Sequence, residues 1–169
     1  MDYQRIFNIK TYAEFLSVTL DIFGHQYSTN SVYKEFCDYL GANPENVFSL
    51  EAIPFLPIQF FKSKKILSGS DEPQMVFTSS GTTGAATSSH LITNVSVYHK
   101  SYSLAFEEFY GNPSDYCILA LLPSYLEREG SSLIYMVNDF IKKSNHPKSG
   151  FFLNDFDKLR SELKQLEAS

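Results

Sequence analysis

Cysteine, basic runs and long apolar stretches are all scarce in this chain. Cys37 and Cys117 are its two cysteines, eighty positions apart in a sequence of 169 residues. So few, so widely spaced, exclude a disulfide framework and a cysteine-rich metal site, and fit a reducing cytoplasm. The formal net charge is −5 and the pI about 5.3, with no basic block. Nucleic-acid binding driven by phosphate neutralisation is therefore not expected. No apolar run approaches the length of a membrane span, and Met1-Asp2-Tyr3-Gln4-Arg5 has no signal-peptide core. His25, His99 and His146 show no metal-ligand spacing, and no repeat or low-complexity linker is present. What remains is material for a core. The chain is 43% hydrophobic and 15% aromatic, with 15 Phe and 11 Tyr, enough for one ordinary domain or a fragment of a larger one.

Three stretches follow from the pattern. Residues 1–50 form a helical lead-in. Thr11 and Glu14 have the spacing of a capping box, and Phe15, Val18, Ile22 and Phe23 follow at helical intervals. A second amphipathic segment carries Val32, Tyr33, Phe36, Tyr39 and Leu40 and stops at Gly41. Residues 51–73 are a connector in which Pro54 and Pro57 exclude a regular helix or a central strand. The greasy run Ile53–Lys62 reads as a buried linker or as the wall of an acyl pocket. Residues 74–169 read as an α/β core. Val76-Phe77 makes a short strand, and 88–92 can return as a second one. A helix capped by Thr93 or Asn94 then runs to Gly111. The continuous apolar run 116–122 predicts a strand buried on both faces. A helix from Ser131 or Ser132, a strand at 150–153 and a helix over 155–166 complete the pattern. The order implies an α/β fold, a helical N-terminal segment followed by a mostly parallel sheet with flanking helices.

Thr78-Ser79-Ser80-Gly81-Thr82-Thr83-Gly84, directly after Phe77, is the run with the clearest chemistry. Its two glycines permit tight turning and close approach to a ligand. Its five hydroxyls and its amides are neutral donors suited to phosphate oxygens. A Walker P-loop is excluded, because no lysine follows the glycines. The alternative is a Ser/Thr-rich surface turn.

Ser80 through Gly84 resembles, residue for residue, the phosphate-binding signature of adenylate-forming enzymes, Ser/Thr-Ser-Gly-Thr-Thr-Gly-x-Pro-Lys. Ala86-Thr87 replaces its Pro-Lys tail, which places the chain on a divergent branch. Leu122-Pro123-Ser124-Tyr125-Leu126 resembles the superfamily's Leu-Pro-x-Phe-His segment at the carboxylate pocket, with Leu126 in place of His. Together with Ile53–Lys62, these segments look most like the acyl-protein synthetase family, whose luminescence members activate fatty acids for a reductase complex. The resemblance covers nearly the whole chain but only about the N-terminal half of a typical member. It implies part of an adenylate-forming N-terminal domain, with ATP and Mg2+ as cofactors. The implied reaction converts a carboxylic acid to an acyl-adenylate and then transfers the acyl group to a thiol or an acceptor protein. It assigns Thr78, Ser79, Ser80, Gly81, Thr82, Thr83 and Gly84 to the phosphates, and Pro123 and Tyr125 to the substrate; Arg128 joins the substrate candidates on the chemistry of its own side chain. The family's acyl-accepting thiol lies in the other half, so neither Cys37 nor Cys117 inherits that role. By itself the chain is expected to be inactive, completed by a C-terminal half or by self-association; a non-catalytic assembly module keeping the fold is the rival reading.

The other polar residues have plainer readings. Glu127, Arg128 and Glu129 read as a solvated charge cluster, although the planar fork of Arg128 suits phosphate or carboxylate. Ser131 and Ser132 read as helix caps rather than nucleophiles. His90 reads as a strand-edge histidine, with return to the phosphate loop as the alternative. Both cysteines read as inert core thiols.

Overall fold

A computed structural model describes residues 2–79, 87–124 and 129–168. The fold mixes helix and sheet and divides into two compact units, Met1–Asn94 and Val95–Ser169.

In the first unit a 3-10 helix, Tyr3–Asn8, leads into helix α1, Tyr12–Thr29. The capping box forms as its spacing predicts. Glu14 N–H donates to Thr11 Oγ1 (3.2 Å), and Thr11 N–H donates back to Glu14 Oε2 (3.0 Å). Helix α2, Ser31–Tyr39, starts one residue after α1 ends, so Asn30 serves both. Its N–H donates to Gln26 O, closing α1, while its Oδ1 accepts from Tyr33 N–H, opening α2. Gly41, at φ +69°, ends α2 in the left-handed region that favours glycine. Phe23, Tyr33, Cys37, Val47 and Ile53 form the core of this unit. Phe23 and Tyr33 meet edge to face, with ring centroids 6.2 Å apart.

The connector passes from a short 3-10 turn at Leu50–Ala52 through residues 54–57 without regular structure. Tyr33 O–H pins it by donating to Pro54 O at 2.6 Å. The two prolines do exclude helix where they stand, but a one-turn helix, α3 (Phe60–Ser63), forms immediately beyond them. Pro57 O accepts the N–H of Phe60 at 3.0 Å, so the ring precedes the turn instead of interrupting it. Strands β1 (Met75–Thr78) and β2 (Ser89–Ile92) then pair antiparallel, from Met75 opposite Ile92 to Thr78 opposite Ser89.

The second unit contains α4 (Val95–Tyr110), β3 (Leu119–Ala120), α5 (Ser132–Ser144), β4 (Gly150–Phe151) and α6 (Phe156–Glu167). Tyr102, Phe106 and Phe140 pack α4 on α5, with Phe106 and Phe140 centroids 4.5 Å apart. β3, α5 and β4 make a parallel crossover unit.

Two expectations are corrected here. The mostly parallel sheet is replaced, among the described residues, by two separate two-stranded ladders, one antiparallel and one parallel. β1 and β2 are neighbours in sequence and fold back on each other, which makes antiparallel pairing the direct solution. The long buried strand over 116–122 shrinks to Leu119–Ala120, and Leu121 is 53% exposed. Its partner sets the limit. β4 is confined between the turn at Ser149 and the Asp155 cap of α6, leaving few residues to pair.

Candidate functional site

The hydroxyl-rich segment joins β1 to β2, and its two ends are fastened together. Ser79 N–H donates to Ser88 O (3.1 Å), and Ser88 N–H donates to Ser79 Oγ (3.0 Å). Ser88 is buried, whereas Thr78 and Ser79 are exposed. Ser79 thus has a structural task that the sequence did not show: its oxygen holds the loop base, leaving its own O–H hydrogen to donate. Ser80, Gly81, Thr82, Thr83 and Gly84 lie outside the described residues, as do Tyr125 and Arg128. Pro123 is half-buried in the second unit.

Beside the hairpin, within the first unit, lies a solvent-open cavity of about 590 Å3. α1 contributes Ile22 and Phe23, the connector contributes Pro54 and Leu56, and Phe61, Leu91 and Ile92 complete the apolar wall. Gln26, Asn30, Tyr33 and His90 supply polar groups. No Asp, Glu, Lys or Arg is among the described lining residues. Its size is that of a small-molecule site, and its mixture of apolar wall and few polar groups is the usual one. Tyr33 is a neutral donor here, since burial pushes its hydroxyl well above the usual tyrosine range.

His90 belongs to this wall. Its ring stacks on Phe61 with centroids 4.7 Å apart and planes 21° from parallel, and its Nε2 lies 3.4 Å from Ser88 Oγ. It therefore packs the strand while reaching toward the loop base. Phe61 and Asn30 were not singled out from the sequence. An asparagine between two amphipathic segments was the available signal for the second; nothing local announced the first.

In the second unit Ser131 caps α5 by accepting from Ile134 N–H (3.4 Å), as expected. A polar group that the sequence did not reveal sits between α4 and α5. Asp139 meets His99 Nε2 at 3.3 Å and Lys143 Nζ at 2.7 Å, and Lys143 also donates to Ser103 Oγ. The buried Tyr102 hydroxyl is pushed up by burial and then by Asp139, which keeps it neutral. These contacts tie two helices together. Cys37 is fully buried, and burial raises its thiol pKa, so it is inert rather than nucleophilic. Cys117 is half-buried, with Ser149 Oγ 4.0 Å from its sulfur. No cluster of three metal-ligating side chains occurs among the described residues, and none of their helices is long and apolar enough to cross a membrane.

Comparison with known proteins adds the family. The model of the family described as acyl-protein synthetase, LuxE, matches residues 10–128, a range that takes in the hairpin, nearly all of the cavity wall and Pro123. A long-chain-fatty-acid–luciferin-component ligase from Vibrio harveyi is 43% identical over 61 residues, 36% of this chain. That match spans only 16% of the relative's own length. No solved structure matches. With the family model matched over well more than half of its residues, the chain belongs to the acyl-protein synthetase, LuxE, family.

Proposed function

We propose that this chain carries the phosphate-loop part of an ATP-dependent ligase that activates a fatty acid as its acyl-adenylate, for transfer to a thiol or protein acceptor. ATP, bound with Mg2+, would supply the adenylyl group: the carboxylate oxygen would bond to the α-phosphorus as the bond to the β-phosphate breaks and pyrophosphate leaves. The chain's own part is positioning and neutralisation of charge, which dominate such chemistry. The pair of hydrogen bonds between Ser79 and Ser88 sets the loop's ends at hairpin spacing. Thr78, Ser79, Ser80, Thr82 and Thr83, with the Gly81 and Gly84 amides, would donate to phosphate oxygens. The assignment of Pro123 and Tyr125 to the carboxylate substrate pocket rests on sequence resemblance, and that of Arg128 on its planar guanidinium, which suits phosphate or carboxylate.

One observation supports this reading above the others: strand β2 leaves the loop and, two residues on, forms part of the cavity wall. A fatty acid lying in an uncharged cavity would bury its methylenes at about 0.8 kcal/mol each. Its carboxylate would then lie toward His90 and the loop base, where a phosphate donor is needed. Calorimetric titration with Mg-ATP tests the reading. The unmutated chain is expected to bind, and Thr83→Val to bind at least tenfold more weakly, about 1.4 kcal/mol for a lost hydroxyl contact to a charged group. No binding by the unmutated chain would sink the nucleotide site and favour a non-catalytic assembly module, to which the Ala86-Thr87 replacement already lends some support.

A further inference from the structure

A second cavity, about 360 Å3, lies against the same hairpin. Lys62, Lys64 and Lys65 line it, together with Phe61, Ser63 and the β2 residues Ser89 and Leu91. We propose that this lysine group seats the polyphosphate of a nucleotide and supplies the positive charge that the hydroxyl loop lacks. The inference rests on the nucleotide reading given above and goes further, naming the residues that offset the phosphate charge.

Three observations carry it. First, the lysines stand unbalanced. Three cations occur within four positions of a chain whose formal charge is −5, and no acidic residue lies between Glu51 and Asp71. No ion pair engages any of them among the described residues, although five pairs are formed elsewhere. Like charges gathered around one hollow repel each other, and a bound anion turns that repulsion into attraction. Second, the hollow is at the right place. Ser89, in its wall, is the register partner of Thr78, the last residue before the loop, so the lysine stems rise beside the loop's base. Third, the lysine segment is held there. Phe61 stacks on His90 of β2, and Lys64 N–H donates to Phe60 O at 2.8 Å, fixing the turn that carries Lys62 and closes at Lys64, with Lys65 the next residue. Lysine is a compact charge on a flexible stem, suited to phosphate without demanding a bidentate geometry.

The test is calorimetric titration of the full chain with Mg-ATP at low and at moderate salt. The triple variant Lys62→Ala, Lys64→Ala, Lys65→Ala is expected to bind at least tenfold more weakly and to lose most of the salt dependence. The triple Lys→Arg variant, which keeps the charge, is expected to stay within threefold of the unmutated chain. Because the three side chains are exposed, all variants should melt at the same temperature. Equal binding by the alanine variant would overturn the inference while leaving the nucleotide reading intact. Weakening of both triple variants alike would also overturn it, since charge would not be the cause. Failure of the unmutated chain to bind Mg-ATP would remove both.

Discussion

Asn30 joins two helices with two hydrogen bonds, at a position only 5% exposed. Substituting Asn30→Ala keeps the backbone bond to Gln26 but strips the acceptor from Tyr33 N–H at a buried helix start. A loss of about 1–2 kcal/mol is expected, at the upper end for a cap because water cannot easily replace it. Urea denaturation checks this through the midpoint, with the slope unchanged. A midpoint equal to that of the unmutated chain would mean the cap contributes nothing. The cysteines give a second expectation at this scale. Cys37 is sealed in the core with its pKa raised by burial, whereas Cys117 is partly accessible. A disulfide reagent should therefore label Cys117 first, and Cys37 only at the rate of unfolding. Rapid labelling of Cys37 in the native chain would contradict the core packing described. Although Tyr39, read onto the same face, is 88% exposed, the apolar setting of Cys37 was legible from its neighbour Phe36, which packs on the same core. The clamp role of Ser79 was not, because it depends on a residue nine positions away.

Among the elements, the long helices and the places of the strands were readable, while the extent of the strands and the sheets they form were not. Caps and amphipathic spacing are local properties, so Thr11, Glu14, Ser131 and Gly41 mark their helix ends in the sequence as they do in the structure. Pairing is not local. Nothing within 116–122 states that its partner β4 offers only Gly150–Phe151, and a run of apolar residues looks the same whether two or seven of them are paired. The α1 capping box makes a pH prediction. Backbone N–H groups of Lys10 and Thr11, and then the Thr11 side chain, hold Glu14 below its ordinary value of 4.5. A carboxylate depressed on folding stabilises the fold above its unfolded pKa, and that contribution is lost as pH falls through the folded value. The stability difference between the unmutated chain and Glu14→Gln should therefore be constant near neutral pH and shrink only below about pH 4.5. Thermal melts across pH 3–7 would show it. A difference that grows as the solution is acidified would have the wrong sign for this cap.

At the scale of the whole molecule, the candidate site was half legible. The loop sequence and the Leu-Pro-x-Tyr segment carried the family, because each is a contiguous motif. The cavity could not be seen in advance, since its wall brings Ile22, Leu56, Phe61 and His90 together from four separate segments. The connector had two open readings, buried linker or acyl wall; the structure buries part of it and sets part against a hollow. Ile53 is in the core, while Pro54 and Leu56 line the hollow. The acyl reading of that hollow has a direct test, because the chain contains no tryptophan. Ile66 is half-buried on the cavity wall, in a stretch without helix or strand, so Ile66→Trp places one fluorophore there. Adding a long-chain carboxylate should shift its emission to the blue and saturate, as apolar chain replaces water around the indole. A short-chain carboxylate, burying far fewer methylenes at about 0.8 kcal/mol each, should require a much higher concentration for the same shift. The loop variant Thr83→Val should leave this fluorescence titration unchanged, because a hydroxyl to phosphate contact plays no part in holding the acyl chain. Emission that does not respond to the long-chain acid, or that responds equally to both acids, would remove the acyl chain from this cavity while leaving the Mg-ATP prediction to stand or fall by its own titration.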